Sequence, residues 1–128
     1  MINVNQLNVK IKFEYFFDLP DHKWKDFRFY ENLDKEFYTN YQWLNTFKDK
    51  IDWHRLLACK RIKLKFLKSF AGYFDELSWQ LISTHQQHHR KLTPQFINKF
   101  HKKLDMDLVL THGEFTANQF GKIITNYR

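Results

Sequence analysis

The feature that most constrains the fold of this chain is an apolar pattern that recurs along it. In residues 92–112, LTPQFINKFHKKLDMDLVLTH, large apolar side chains occupy positions 96, 97, 100, 104, 106, 109 and 110. Residues 43–57 carry large apolar side chains at the corresponding positions without a gap. A middle copy in residues 66–82 matches after three residues are inserted between Phe70 and Leu77, and a further copy starts at Phe115 and stops. The recurrence predicts a chain built from copies of one short structural unit.

Each copy has the pattern of a short helix, a tight turn and a second short helix. Thr93 precedes Pro94, which predicts an N-cap followed by proline at the first helical position, where its missing N–H costs nothing. The spacing of a capping box, in which two side chains satisfy each other's backbone donors, occurs at Thr39–Gln42 and Thr116–Gln119. The second helices have candidate N-caps directly before a large apolar residue: Asp52, Ser78 and Asp105.

Helices of this length cannot bury their apolar faces alone and must stack on neighbouring copies. In the best-defined copy, Phe96, Ile97, Phe100 and Leu104 lie on one helical face. The pattern therefore predicts a solenoid-like stack of helix-turn-helix repeats over residues 31–128. The copies are placed near 39–60, 62–88 and 92–113, with a partial copy at 115–128.

The N-terminal part of the chain has a different period. Residues 7–17 alternate between apolar and polar side chains, which is typical of a half-buried strand. Proline at position 20 has turn chemistry, and residues 24–30 could return as a second strand. The sequence thus predicts a β-hairpin over residues 1–30 that caps the stack, or alternatively offers its edge to a partner strand. The expected fold is α+β, mainly α, in a single domain of residues 1–128.

The repeat pattern carries a resemblance to a known group of proteins. The arrangement Leu-Thr-x-x-Phe-Ile-x-x-Phe-x-x-x-Leu-Asp at residues 92–105, together with Ile-Asp-Trp at residues 51–53, resembles the short helical repeats in proteins of giant DNA viruses and some phages. Met106 stands where those repeats have an aromatic residue. The resemblance covers roughly residue 39 to the C-terminus, and it implies a viral or mobile-element origin and a binding role without transferring a site.

Positive charge is concentrated in the middle of the chain. Residues 54–103 carry eleven Lys and Arg against two acidic residues, whereas the net charge of the whole chain is +7. Such a surface attracts phosphate backbone or an acidic protein, although the lysines of residues 60–70 could merely solvate the outer face of an amphipathic segment. The candidate partner-binding or nucleic-acid-binding residues are Lys60, Arg61, Lys63, Lys65, Lys68, Arg90, Lys91, Lys99, Lys102 and Lys103.

Aromatic residues make up 19% of the chain, which fits two different uses. Short helices need large side chains to build a core, and bases stack on the same residue types, so composition alone does not separate the two.

Motifs for catalysis, cofactors and metals are missing from the sequence. It has no glycine-rich phosphate loop, no Gly-x-Ser-x-Gly elbow and no polymerase-like carboxylate pair. His85 and His89 have the i, i+4 spacing that can share a metal ion, but residues 86–91 are more typical of a polar segment between repeats. The sequence therefore predicts a protein that is not an enzyme and has neither cofactor nor metal site.

The remaining features concern cellular context and function. Cys59 is the single cysteine, which excludes an internal disulfide and fits a reducing compartment. Neither a signal-like start nor an apolar run of spanning length is present, so we expect a cytoplasmic location, in the host cell if the protein is viral. The leading hypothesis is a phage or mobile-element protein that inhibits a host factor, such as a CRISPR nuclease complex, through its basic face. Its partner would be an acidic host protein or a nucleoprotein complex, and the alternative is a direct DNA- or RNA-binding protein.

Overall fold

The computed structural model describes residues 13–87, 92–112 and 115–127, giving only the backbone path at residues 112 and 124–127. The chain divides into two compact units, Met1–Asp52 and Trp53–Arg128. We call them the first and the second unit.

The first unit is a succession of very short helices. Its described residues form α1 (13–17), α2 (Asp21–Trp24), α3 (Phe27–Glu31), α4 (Lys35–Tyr38) and α5 (Tyr41–Thr46). Polar side chains start two of them, because Asp26 accepts a hydrogen bond from the Arg28 N–H and Asn40 accepts from the N–H groups of Gln42 and Trp43. Frequent caps and turns keep every helix below two turns, so packing rather than helix length must stabilise the unit.

Aromatic rings fill the core of the first unit. The ring of Phe16 packs 5.3 Å from that of Trp43, and Trp24 lies 5.3 Å from Phe47. The hydroxyl of the fully buried Tyr30 donates to the Trp24 carbonyl at 2.5 Å and accepts from the Asp52 N–H at 2.7 Å. This part of the aromatic content thus forms core, as short helices require.

The second unit contains longer helices. They are α6 (Trp53–Cys59), α7 (Leu64–Ser69), a 3₁₀ turn (Ala71–Tyr73), α8 (Glu76–Leu81), a π-helical turn (Ile82–Gln86) continuing α8, α9 (Pro94–Phe100), α10 (Met106–His112) and α11 (Ala117–Tyr127). Three of the predicted starts are confirmed. Thr93 caps α9 with proline at its first position, Asp105 accepts from the Leu108 N–H at the start of α10, and Thr116 and Gln119 bond reciprocally before α11.

The structure needs no insertion in the middle copy, because α8 starts six residues after Phe70, just as α6 and α10 start six residues after Phe47 and Phe100. Asp75 caps α8, and Trp79, one turn further on, packs 5.1 Å from Phe100. Trp53 packs on Phe70 at 5.3 Å with the same interplanar angle of 33°. The two tryptophans therefore make equivalent contacts although their distances from the helix start differ by one turn.

The predicted N-terminal β-hairpin is wrong. No strand occurs in the described part of the chain, residues 13–17 are helical, and residues 24–30 include the end of α2 and most of α3. Residues 7–12 of the predicted first strand lie outside the described residues. The buried positions are Phe13 and Phe16, three apart, whereas Tyr15 and Phe17 are 65% and 60% exposed. Because residues 15–17 are all aromatic, the sequence fits both the alternation of a strand and the three-to-four-residue period of a helix.

Two predicted helix caps are also wrong. Thr39 is the C-cap of α4, and its hydroxyl donates to the Lys35 carbonyl. Asn40 is therefore the N-cap of α5, the position predicted for Thr39 in a Thr39–Gln42 capping box. Ser78 lies inside α8, where its hydroxyl accepts from the N–H of the true cap, Asp75. In both cases a second capping residue stood within three positions of the predicted one.

Candidate functional site

The strongest candidate site is a cationic segment that comprises the turn between α6 and α7 and most of α7. Residues 53–74 contain six Lys and Arg and no acidic residue. We define the basic segment as the five cations of residues 60–68: Lys60, Arg61, Lys63, Lys65 and Lys68. It includes half of the sequence-predicted binding residues.

The local structure exposes three of these five cations, Arg61, Lys65 and Lys68, and leaves Lys60 and Lys63 half-buried. In α7, Phe66 and Leu67 are buried while Lys65 and Lys68, three residues apart, are exposed on one helical face. In the preceding turn Ile62 is buried and Arg61 is exposed. The amphipathic pattern of residues 60–70 therefore does produce an outward row of charge.

Two of the lysines are gathered at one aromatic ring. The ammonium groups of Lys63 and Lys65 lie 5.6 Å and 5.4 Å from the centroid of the Phe66 ring. The ring's quadrupole attracts each ammonium group. The arrangement places two positive charges around one side chain, and an anion near that side chain would be attracted to both.

A buried glutamine supports the turn that carries the first cations. The Gln86 side-chain amide donates to the carbonyls of Leu57 at 2.7 Å and Lys60 at 2.6 Å, and its oxygen accepts from the Ile62 N–H at 2.9 Å. It thereby satisfies backbone groups at the end of α6 that lack helical partners. The next residue, Gln87, is also buried and bonds to the Val109 carbonyl and the Leu92 N–H.

The remaining predicted binding residues do not all share this environment. Lys99 lies over the ring of Phe100 at 5.5 Å, and Lys102 and Lys103 are exposed in the turn between α9 and α10. Arg90 and Lys91 lie outside the described residues. The structure therefore brings together Lys63 and Lys65 at one ring and holds Lys99 at another.

A hydrogen-bonded histidine–aspartate pair connects α6 to the start of α8. The His54 Nε2 lies 2.8 Å and 3.0 Å from the two carboxylate oxygens of Asp75. Hydrogen bonds from the Ser78 N–H and from His54 lower the Asp75 pKa from 3.8 to about 2. The acidic side chain that follows the basic segment is thus already engaged within the unit.

Charge divides between the two units. The second unit has thirteen Lys and Arg against five acidic residues, a net charge of +8, whereas the first unit has a net charge of −1. The positive potential therefore belongs to the second unit.

The first unit has an open depression of its own, with a volume of about 690 Å³. Phe16, Phe29 and Phe37 contribute aromatic surface to it. Its charged lining consists of Lys23, Arg28, Asp26 and Asp34. Because these charges balance, the depression selects no charge class of ligand.

No group of three His, Cys, Asp or Glu side chains in the described ranges is placed to hold a metal ion. His85 bonds to Thr84 and His101 to the Asn98 carbonyl, while His89, the prospective partner of His85, lies outside the described residues. No described helix combines the length and apolar character needed to cross a membrane.

No local pattern in the sequence identifies the structural roles of Gln86, Gln87 or the His54–Asp75 pair. Their hydrogen-bond partners are mostly more than 20 residues away, so local spacing could not identify them.

No protein-family model, curated protein or solved structure matches this chain. The resemblance to viral repeat proteins stays a prediction based on the pattern of residues 92–105.

Proposed function

We propose that this chain is a non-enzymatic binding protein whose basic segment engages the phosphate backbone of a nucleic acid, either bare or within a nucleoprotein complex. The observation that carries the proposal is the set of six Lys and Arg between Arg55 and Lys68 with no acidic residue among them. Two of their ammonium groups lie at one aromatic ring. Closely spaced phosphates neutralise such a row, and the release of their counterions drives binding.

Contact with the phosphate backbone of a nucleic acid fits the site better than stacking on its bases. The two aromatic residues of α7 and its end, Phe66 and Phe70, are buried. A stacking platform requires exposed ring faces. The basic segment therefore supports recognition of charge and shape rather than of base identity.

A second candidate function is inhibition of a host factor, such as a CRISPR nuclease complex, by docking of the basic segment on an acidic protein surface. The observation that favours it is the exposure of two large apolar residues near α7 and α8, Tyr73 at 44% and Leu77 at 48%. Aromatic residues are enriched at protein interfaces. The resemblance to phage and viral repeats supports this candidate as well.

The test measures binding of a fluorescein-labelled 20-base-pair DNA duplex, and of an RNA duplex of the same length, by fluorescence anisotropy at about 100 mM salt. The altered protein carries Lys63→Glu, Lys65→Glu and Lys68→Glu. The matched control carries Lys23→Glu, Lys25→Glu and Lys35→Glu, three exposed lysines of the first unit. Both variants change the net charge by the same amount.

We expect the basic-segment variant to bind at least about ten-fold more weakly than the control. Equal losses in both variants would mean that binding follows net charge alone and would contradict the proposal. If the unaltered protein fails to bind either duplex but captures an acidic protein through Lys63, Lys65 and Lys68, the second candidate replaces the first.

A further inference from the structure

We infer that Gln86 is a positioning residue for the anion-binding surface, because it fixes the turn in which α6 ends and the cations begin. The inference rests on the proposed function and adds to it a residue that contacts no ligand. It also assigns a role to the π-helical turn in which Gln86 lies.

The Gln86 amide forms three hydrogen bonds to one short stretch of backbone. Its two acceptors, the carbonyls of Leu57 and Lys60, and its donor, the Ile62 N–H, lie within six residues of one another. The chain changes there from helix to extended, and Lys63 has φ −58° and ψ 141°. A single buried side chain thus determines where the helix stops and which way the next residues point.

This anchoring sets the direction of the cations on either side of Ile62. Ile62 is 1% exposed, and Gln86 holds its N–H, so the backbone is fixed at a point flanked by Arg61 and Lys63. Neighbours of an inward-facing residue in extended backbone point outward. Without Gln86, the Leu57 carbonyl and the Ile62 N–H would lose this partner where the contact is buried, and the Lys60 carbonyl would lose it where the contact is half-buried. The turn would then rearrange to satisfy the buried groups.

Two successive buried glutamines lie at the end of the π-helical turn. Residues Ile82–Gln86 have the wider π-helical winding, and both Gln86 and Gln87 have buried side chains. Gln86 bonds toward residues 57–62 and Gln87 toward Leu92 and Val109. Adjacent residues at the end of this turn therefore serve different segments, and π-helical turns are frequent at functional positions.

The adjacent glutamine provides a matched control. Gln86→Met and Gln87→Met each replace a buried amide by an apolar side chain of similar length. Each is made in the unaltered protein and in a background carrying Arg61→Gln and Lys63→Gln. Affinity for the 20-base-pair DNA duplex is measured at a temperature where circular dichroism shows every variant folded. A Gln86→Asn variant, with a shorter amide that cannot reach all three groups, replaces Gln86→Met if the latter does not fold.

We expect Gln86→Met to weaken duplex binding by at least about three-fold in the unaltered protein and by less than about two-fold in the Arg61→Gln, Lys63→Gln background. Gln87→Met should change affinity by the same factor in both. If the Gln86→Met factor is the same in both backgrounds while the lysine reversals still weaken binding, Gln86 is structural only, and this inference fails alone. If the unaltered protein binds neither the DNA nor the RNA duplex, both proposals are overturned.

Discussion

At the scale of single residues, Asp75 performs two roles with one carboxylate. It caps α8 by accepting from the Ser78 N–H at 2.9 Å, and it bonds to His54 on α6. The charged form accepts all these hydrogen bonds, which is why its pKa falls to about 2. A residue used in this way stabilises the second unit only while it is ionised.

This gives a pH prediction for Asp75→Asn, which keeps a capping oxygen but removes the charge. Because the folded-state pKa is depressed, the stabilisation is present above the unfolded value near 3.8 and is lost as the pH falls through about 2. The unaltered protein should have the higher urea midpoint at pH 5, and the difference should vanish near pH 2. Since the Asp75 side chain is 63% exposed, we expect less than about 1 kcal/mol.

The control for this experiment is Glu76→Gln, which removes a carboxylate from the same first turn of α8. It accounts for any effect of charge near the helix start. A difference between unaltered protein and Asp75→Asn that persists undiminished at pH 2 would mean that the charge of Asp75 is not its source.

Residue-scale prediction from the sequence succeeds where the partner is close in the chain. The caps of Thr93, Asp105 and Thr116 were predictable because each hydroxyl or carboxylate bonds to an N–H three residues ahead. Gln86 bonds to groups 24 to 29 residues away, a separation that no local spacing encodes. The candidate cations were predictable from charge alone, whereas the Gln86 hydrogen bonds that hold the turn carrying them were not.

At the scale of elements, the start of α8 decides which residue of the middle copy takes the core position. The repeat alignment places Leu77 at a core position equivalent to Ile51 and Leu104. The helix starts three residues earlier than that alignment implies, and Leu77 is 48% exposed, whereas Phe74 packs 5.6 Å from both Trp53 and Trp79. An apolar pattern therefore identifies the copies but does not settle whether a gap lies between two apolar positions.

Two leucine-to-alanine substitutions in the second unit test this register. Leu67→Ala removes a fully buried side chain and should destabilise the unit by about 2–5 kcal/mol. Leu77→Ala should stay within about 0.5 kcal/mol of the unaltered protein, because its side chain already contacts solvent. Urea unfolding followed by circular dichroism measures both. Comparable losses would place Leu77 in the core and contradict the register described here.

The N-terminal helices show a limit of periodicity at the same scale. A strand and a helix were both compatible with residues 13–17, since aromatic side chains stand at positions of either period. Tertiary contacts decide the outcome: Phe16 packs against Phe37 at 4.7 Å and against Trp43 at 5.3 Å. Those rings belong to segments more than 20 residues further along, beyond the reach of a local pattern.

At the scale of the whole molecule, the net charge of +7 is the sum of two unlike units. The second unit carries +8 and the first −1, so total charge describes neither. A polyanion bound at a defined surface releases only the counterions of the phosphates that surface contacts. The response of binding to salt therefore distinguishes a local surface from the charge of the entire chain.

This distinction leads to a prediction for Lys65→Gln and Lys23→Gln, which remove one exposed charge from the second and the first unit, respectively. If Lys65 contacts a phosphate, its loss should flatten the slope of log affinity for duplex DNA against log salt by about 1. Lys23→Gln should leave the slope within experimental error. Anisotropy titrations from about 50 to 200 mM salt measure both slopes. Equal flattening by the two substitutions would show that the duplex responds to net charge, and a basic segment acting as a defined surface would then be ruled out.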